Sequence, residues 1–288
     1  MREYDEITLK KVQQAELEIL KDFIQVCEEN DLSYFALAGT GIGALRHGGF
    51  IPWDDDIDVG LLRADYDRMI EVFKRDYSDK YTIVNGDEYS TYPLMTTRIM
   101  RNGTVFVEEA LKGIKNCPLG IFLDVYAFDN VARDPKKAKK QAFRTWVLSK
   151  FLIMKFVPFP VLPVKGVAAK LIHCATALTY GAMNVLFISQ KFLYRKAKAL
   201  STAYNQEDCD AYAYFCDTDR YSNYFEKEDL FPLRKIQFED IDLCFPKNLE
   251  KSLETTYGDY MQLPPVEKRK NHFPYRLKFL NEEEIVNE

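Results

Sequence analysis

The sequence contains few of the side chains that bind soft metals. Its 288 residues include three histidines and six cysteines, and no two cysteines form a CxxC pair. Because structural zinc sites need cysteine or histidine pairs at short spacing, a zinc site is not expected. We interpret the cysteines as buried free thiols in a reducing compartment. They are Cys27, Cys117, Cys174, Cys209, Cys216 and Cys244.

An apolar leader and an excess of positive charge are also missing. The N-terminal stretch MREYDEITLKKVQQAELEIL is charged and lacks the hydrophobic region of a secretory signal, which predicts a cytoplasmic protein. The net charge of −5 and the pI near 5.5 argue against a general nucleic-acid-binding protein. With 47% hydrophobic residues, the chain has the composition of a globular protein with one large domain or two small ones.

Acidic residues are absent from one long segment. Residues 135–206 contain 13 lysines and arginines and no aspartate or glutamate, so the segment carries +13 while the rest of the chain carries −18. The segment is also strongly apolar, and its prolines are predicted to divide it into two helical pieces. These prolines are Pro158, Pro160 and Pro163.

Three interpretations of this basic apolar segment are open. Residues 171–189 are uncharged and just long enough to span a bilayer, but His173, Thr176, Thr179 and Asn184 make them a poor span. A hairpin lying peripherally on the anionic inner face of the membrane fits the composition better. An ordinary helical subdomain, packed on the core with its lysines in solvent, fits equally well.

Hydrophobic periodicity predicts an α/β (α+β) fold on a mixed sheet. Apolar residues recur at three- and four-residue spacing from Val12 to Cys27, which indicates a helix. Strands are predicted in LSYFALAG and DIDVGLL. Helices are predicted in IGALRHGG, which is brief, and in RADYDRMIEVFKRD. Extended runs follow in KYTIVN, YPLMTTRIMRNGTVFVEE and GIFLDVYAFD. Near the C-terminus, RKIQFEDIDLCF indicates two short strands, then a helix ends near Tyr257, and NEEEIVNE is expected to fray. We therefore divide the chain into a main part of the core (1–134), a helical insert (135–206) and a part completing the core (207–288).

The stretch GTGIGALRHGGFIPWDDDIDVG (residues 39–60) places four aspartates side by side. Residues two apart in a strand point to the same face, which puts the carboxylates of Asp56 and Asp58 together, about 7 Å apart along the strand. Paired carboxylates bind hard cations such as Mg²⁺. Asp54 either lies on the same face or orients the two carboxylates without binding the cation itself. Asp124 is the best candidate for a third ligand, because an unpaired charge in its apolar strand would be unfavourable.

A glycine-rich turn precedes these acids. Gly39 and Thr40 end a strand and open a helix, where backbone N–H groups and a hydroxyl can contact a phosphate. The turn alone is weak evidence, but a glycine-hydroxyl turn followed by a D-x-D strand is typical of nucleotide and metal sites for phosphoryl chemistry. An EF-hand is disfavoured because Val59 replaces its required glycine. A plain solvated acidic turn would leave the glycines unexplained. Asp129, near a turn, is interpreted as solvated or capping.

With these motifs the chain resembles the LicD family of phosphocholine transferases, to which fukutin-type proteins are related. The stretch 39–60 carries the resemblance, together with GIFLDVYAFD and LFPLRKIQFEDIDLCFPKNLEKSLETTYGDYMQLPP. It implies a nucleotidyltransferase-like fold, a divalent metal (Mg²⁺ or Mn²⁺), and transfer of a phosphorylated alcohol from a CDP-linked donor to a glycan hydroxyl, releasing CMP. CDP-choline is the expected donor, and a cell-surface glycan or its lipid-linked precursor the expected acceptor.

The resemblance also implies roles for individual residues. The phosphate-side turn falls on Gly39 and Thr40, and an aliphatic residue is usual where Gly41 stands. The metal-binding acids fall on Asp56 and Asp58 with Asp54 beside them, and the third acid falls on Asp124, which serves as a ligand or a general base.

Four further residues are weaker candidates for contacts with phosphate or substrate. Arg46 either pairs with Asp54 or Asp55 or touches the donor phosphates, and His47 either packs or contacts phosphate. Arg98 is a phosphate or acceptor contact, or else forms a surface ion pair. His272, with basic neighbours near the C-terminus, could close the site.

Two other functions remain possible from the sequence. One is a nucleotidyltransferase that uses CTP or ATP and releases pyrophosphate. The other is a non-catalytic module that binds a metal or a nucleotide. The identity of the alcohol (choline, ethanolamine, ribitol or glycerol) and of the acceptor sugar is open.

Overall fold

The N-terminal half of the fold alternates helices with strands. The structure, a computed structural model, describes residues 4–157, 159 and 166–287. Helix α1 (Glu6–Glu29) buries one apolar face, as its spacing predicts, and is followed by β1 (Tyr34–Ala36), α2 (Ala38–His47), β2 (Asp58–Leu62) and α3 (Arg63–Asp76). Gly48 ends α2 in the left-handed conformation (φ 72°), which glycine adopts without strain. All five predicted elements are confirmed.

A mixed sheet forms the centre of the molecule. It contains β3 (Tyr81–Val84), β4 (Thr97–Arg101) and β6 (Phe122–Asn130), with the order β1-β2-β6-β4-β3. Strands β7 (Ala211–Tyr214) and β8 (Asn223–Glu226) extend it from the end of β6. Only β2 and β6 run parallel among these pairs in the described chain, and the others are antiparallel. The fold is therefore α+β with a mixed sheet, as the sequence predicts.

The basic segment contains three described helices. They are α4 (Pro135–Met154), α5 (Gly166–Val185) and α6 (Gln190–Ser201). The prediction of two helical pieces is wrong, because a further break at residues 186–189 separates α5 from α6, where Ser189 accepts a hydrogen bond from the backbone of Phe192. Pro158, Pro160 and Pro163, on which that prediction depended, lie outside the described residues.

The three helices differ in how they are buried. Leu152 of α4 and Tyr194 of α6 share a small core with Met183, and the ring of Tyr194 lies against the backbone of Gly86, where a Cβ would meet it at 2.3 Å. Helices α4 and α6 thus pack as an ordinary subdomain. In α5, however, Met183 is the one buried residue, so most of its apolar surface faces solvent.

No single helix in the described part of the chain is long and apolar enough to cross a membrane. Helix α5 and the residues Gln190–Tyr204 pass the length and composition test only together, as a pair bent by 105°.

The C-terminal part adds two small sheets. Helix α7 (Lys227–Leu230) leads into the hairpin of β9 (Arg234–Phe238) and β10 (Ile241–Phe245), followed by α8 (Leu249–Tyr257); the two strands and the helix end are as predicted. Strand β11 (Pro274–Lys278) pairs with β5 (Val105–Glu108) and with β12 (Ile285–Val286). The prediction of a frayed C-terminus is therefore wrong for Ile285 and Val286, which pair with Leu277 and Arg276.

All six cysteines are free. Cys27, Cys209 and Cys216 are buried as expected, Cys117 and Cys244 are half-buried, and Cys174 on α5 is exposed, so the expectation of buried thiols is wrong for Cys174.

Candidate active site

The glycine turn holds the acidic stretch in place. Helix α2 begins at Ala38, whose φ of +50° makes the turn sharp, and the Thr40 hydroxyl accepts a hydrogen bond of 2.9 Å from the backbone N–H of Asp58. A Cβ on Gly39 would lie 2.9 Å from a carboxylate oxygen of Asp54. The turn therefore lies directly against the acidic stretch, and a larger residue at position 39 would require the Asp54 side chain to shift.

Gly41 lies in the first turn of α2 and is buried. A Cβ at this position would lie 2.9 Å from a methyl group of Leu249. Leu249 of α8 therefore fills the space that an aliphatic side chain would take, and α8 packs closely against α2.

Three carboxylates converge at the centre of the sheet. Asp58 begins β2 and lies directly opposite Asp124 of β6 in the parallel register, and both are more than nine-tenths buried. Asp56 precedes β2 instead of lying within it, so the predicted strand is too long by two residues. Ligand oxygens of Asp56, Asp58 and Asp124 nevertheless all lie within 4.8 Å of one another. We call these three residues the carboxylate trio.

The other two aspartates of the stretch have different surroundings. Asp55 is fully buried and accepts hydrogen bonds from the Tyr4 hydroxyl at 2.6 Å and from the backbone N–H of His272 at 2.7 Å. It therefore ties both ends of the chain to the acidic stretch. Asp54 lies beside Gly39 and is outside the trio.

Burial and mutual repulsion make the charged trio unfavourable. Burial raises the pKa of Asp58 well above its ordinary value, and the carboxylates of Asp56 and Asp124 raise it further. Burial also raises the pKa of Asp124, against the lowering effect of Arg98. Burial raises the pKa of Asp56, although His272 opposes the shift. The trio must therefore hold protons or bind a cation.

The trio fits a hard divalent cation. Three carboxylates supply oxygen ligands only, which suits Mg²⁺ or Mn²⁺ better than zinc. Tyr126, two residues beyond Asp124 on β6, donates a hydrogen bond of 2.9 Å to Asp58. Such a contact fixes the orientation of a ligating carboxylate.

Arg98 is buried next to the trio. Its Nε donates to Asp124 at 3.0 Å, its Nη2 donates to Glu108 at 2.8 Å, and its guanidinium lies 3.7 Å from the centre of the Phe122 ring. The alternative of a surface ion pair is therefore wrong, since the pair is enclosed. The remaining nitrogen, Nη1, is buried and has no hydrogen-bond partner among the described residues.

The other candidate residues lie at different distances from the trio. His272 places Nδ1 3.5 Å from Asp56 and 3.5 Å from Asp55; burial lowers its pKa, but these carboxylates raise it well above the ordinary value. Arg46 donates to the carbonyl oxygen of Tyr260 at 2.5 Å and to His47 at 2.9 Å, so it pairs with neither Asp54 nor Asp55. His47 itself is exposed.

Two cavities meet at the trio. The large cavity, of about 1020 Å³, is lined by Gly39, Arg46, Asp56, Asp58 and the loop 259–272 among others. The small cavity, of about 260 Å³, lies on the Asp124 side. His272 lines both.

The sequence interpretation missed several groups around the site. Asp129 is buried and forms an ion pair of 2.8 Å with Arg63, so the expectation that it is solvated is wrong. Glu108 was missed because nothing in a single sequence pairs β5 with Arg98. Tyr126 follows Asp124 by two residues, which puts both side chains on the same strand face, and this spacing is the sequence signal that could have indicated it. Glu16 of α1 is also fully buried, with no hydrogen-bond partner for either oxygen in the described chain.

The chain is similar to known proteins in the region that contains this site. Residues 31–149 match the family model described as LicD/FKTN/FKRP, nucleotidyltransferase domain. Over 270 residues, the chain is 28% identical to the lipopolysaccharide cholinephosphotransferase LicD of Haemophilus influenzae, covering 92% of this chain and 96% of that protein. The resemblance to the LicD family is therefore confirmed over residues 31–149. All three trio residues fall within this matched region, which continues into α4.

Two shorter similarities accompany it. An uncharacterized protein of Rickettsia prowazekii is 32% identical over 66 residues, which cover 23% of this chain and 25% of that protein. One of Rickettsia typhi is 34% identical over 61 residues, covering 20% of each chain.

Proposed function

We propose that this protein transfers phosphocholine from CDP-choline to a hydroxyl of a cell-surface glycan or its lipid-linked precursor, releasing CMP, in a metal-dependent reaction. The observation that carries the proposal is the similarity to a lipopolysaccharide cholinephosphotransferase over 92% of the chain. The carboxylate trio supports it, because buried acids that cannot ionise together suit a metal–diphosphate site.

The residues around the trio would each have a distinct part in the reaction. Asp56, Asp58 and Asp124 hold the cation, which when bound supplies positive charge against the diphosphate and the leaving CMP. The turn at Gly39 and Thr40 presents backbone N–H groups to a phosphate. Thr40 can also donate, because a hydroxyl oxygen that accepts from Asp58 still carries its own proton.

Asp124 suits a ligand better than a general base. Arg98 donates to one of its oxygens, which favours the ionised form that a metal ligand needs. The trio geometry that a ligand requires is present.

A donor panel tests the proposal directly. CDP-choline, CDP-ethanolamine, CDP-ribitol, CDP-glycerol and CTP would each be incubated with the protein, Mg²⁺ or Mn²⁺ and a lipopolysaccharide preparation. We expect CMP release from CDP-choline, lost in Asp58→Asn and kept in Asp242→Asn, which changes an exposed aspartate on β10. Release of CMP from another CDP-alcohol would identify that compound, instead of CDP-choline, as the donor. Pyrophosphate from CTP would indicate a nucleotidyltransferase, and binding of donors without turnover would indicate a binding module.

We also propose that the insert holds the protein peripherally on an anionic membrane surface. Its exposed apolar side chains include Leu171 (67% exposed), Leu178 (69%) and Phe187 (91%), and residues 135–206 carry 13 basic and no acidic residues. An exposed apolar helix face with surrounding lysines is typical of segments that bind anionic lipids.

Vesicle flotation tests the membrane proposal. We expect the protein to float with phosphatidylglycerol vesicles, less at high salt, and not with phosphatidylcholine vesicles. The double variant Leu171→Gln/Leu178→Gln should lose flotation, whereas Ile7→Gln, which changes an equally exposed residue of α1 (73%), should keep it. Equal flotation of the double variant would contradict the proposal.

A further inference from the structure

The small cavity is built jointly by the core and by the insert. Asp124 and Tyr126 of β6 line one side, and Ser149, Lys150 and Ile153 of α4 line another. The turn after β7 supplies the remaining part, with Asp217 and Thr218. The cavity therefore exists only because the insert packs against the sheet.

Helix α4 is fixed to this turn by hydrogen bonds. Lys150 Nζ donates to the carbonyl oxygen of Asp217 at 2.7 Å, and the Trp146 indole N–H donates to the carbonyl oxygens of Asp217 and Thr218 at 3.1 and 3.2 Å. Because both side chains donate hydrogen bonds to backbone carbonyl oxygens, the side of the cavity that α4 and this turn form has a defined position relative to the trio. The cavity is thus a formed site and not a gap between loosely joined parts.

The chemistry of the two cavities differs. The large cavity has Arg46, Lys268, Arg269 and Lys270 in its lining, and the Arg269 guanidinium lies 4.1 Å from the centre of the Trp53 ring. Its volume and these basic side chains, in the same lining as the acids Asp56 and Asp58 that would hold a cation, suit a nucleoside diphosphate.

The small cavity combines aromatic faces with polar groups. The rings of Tyr126 and Tyr214 lie edge to face, 5.0 Å apart, and the polar side chains of Thr96, Ser149 and Thr218 share the lining. Arg98 also lines it, with Nη1 buried and unpartnered in the described chain. Apolar ring faces beside hydroxyl, carboxylate and unsatisfied N–H groups suit a sugar ring, whose faces are apolar and whose edge carries hydroxyls.

The geometry of phosphoryl transfer indicates which cavity holds the donor and which holds the acceptor. The attacking and leaving oxygens lie roughly in line on opposite sides of phosphorus. If CMP leaves toward the large cavity, the nucleophile must approach across the trio, from the Asp124 side. We infer that the small cavity is the acceptor subsite, which takes the sugar that carries the attacking hydroxyl. This assignment rests on the proposed function.

The assignment also gives the insert a second role. The helix that forms the cavity wall, α4, belongs to the same segment as the exposed apolar helix α5. A lipid-linked glycan held at a membrane surface would therefore meet the cavity from the side of the insert.

The test separates binding of the acceptor from binding of the donor. Thr218 is exposed at the cavity, so Thr218→Trp should narrow the cavity without disturbing the core. We expect it to raise KM for the lipopolysaccharide preparation about tenfold or more while the Kd for CDP-choline with Mg²⁺, measured by calorimetry, changes less than about twofold. Arg269→Ala should instead raise the Kd for CDP-choline and leave the KM for the lipopolysaccharide preparation nearly unchanged. Thr255→Trp, on α8 and outside both cavities, should change neither value.

Each outcome has a defined meaning. An unchanged KM for lipopolysaccharide in Thr218→Trp, or a weaker Kd for CDP-choline, would overturn the assignment while the transferase function stands. If the unmodified chain releases no CMP from any CDP-alcohol, the proposed function fails and the assignment falls with it. Circular dichroism and a thermal melt of each variant show independently whether it is folded.

Discussion

At the scale of single residues, the orientation of Asp58 depends on the Tyr126 hydroxyl, which donates to it at 2.9 Å. Tyr126→Phe removes this donor and leaves the ring in place. Because partners of ligating groups contribute about 10–100-fold to metal affinity, we expect Mn²⁺ affinity to fall within that range. Titration with Mn²⁺ would measure it. Tyr214→Phe, which keeps the neighbouring ring, should leave the affinity unchanged, and equal affinities of the two variants would contradict the role of Tyr126.

A second residue, Arg98, holds two buried carboxylates together. Arg98→Met leaves Asp124 and Glu108 without their shared cation, so the free energy of unfolding should fall by about 3–5 kcal/mol, the range for one broken buried pair. Denaturant unfolding without divalent cations would measure it. Arg133→Met, which removes an exposed pair with Asp210 (2.9 Å), should lower it by less than about 1 kcal/mol. Similar losses in both variants would contradict the structural role of Arg98.

At the scale of helices and strands, local periodicity was enough to predict α1, α2, α3, β2, β6 and the β9–β10 hairpin. Register could not be predicted, because no local pattern shows which residues of distant strands face each other. The trio depends on the register Asp58 opposite Asp124, and the surroundings of Arg98 depend on its own register with Asp124. The sequence could therefore indicate Asp124 as a third ligand only from the cost of a charge in its apolar strand, whereas its position opposite Asp58 and the burial of Arg98 and Asp129 could not be predicted. Pairing of β12 with β11 was missed for the same reason.

The attachment of the insert to the sheet is the prediction that belongs to this scale. Gly86→Val places a side chain where the Tyr194 ring lies at 2.3 Å from a Cβ, so α6 must move. We expect about 1–3 kcal/mol of destabilisation, with faster hydrogen exchange in α6. Gly113→Val, where a Cβ meets nothing within 4 Å, is the matched control. Unchanged exchange in α6 would show that the insert is held by other contacts.

At the scale of the whole molecule, the site depends on segments far apart in sequence. Tyr4 and His272 both bind Asp55, and the small cavity needs α4 of the insert. The matched family region ends at residue 149, so the wall at Lys150 and Ile153 and the turn at 214–218 lie beyond it. We infer that the family region supplies the acids, and that the remaining chain shapes access to them.

Stability of the whole chain should reflect this buried acidic site. Burial raises the pKa values of Asp54, Asp58 and Glu16 well above their ordinary values, and neighbouring acids add to each shift. The folded chain then binds more protons than the unfolded chain, in which carboxyl groups titrate near pH ~4. Stability without divalent cations should therefore fall as the pH rises from about 5 to about 8. Mg²⁺ replaces the protons, so it should raise Tm more at the higher pH. Thermal melts with Mg²⁺ or with NaCl of matched ionic strength would measure the difference. An equal effect of Mg²⁺ at both pH values, or in Asp58→Asn, would mean that the acids do not share a cation.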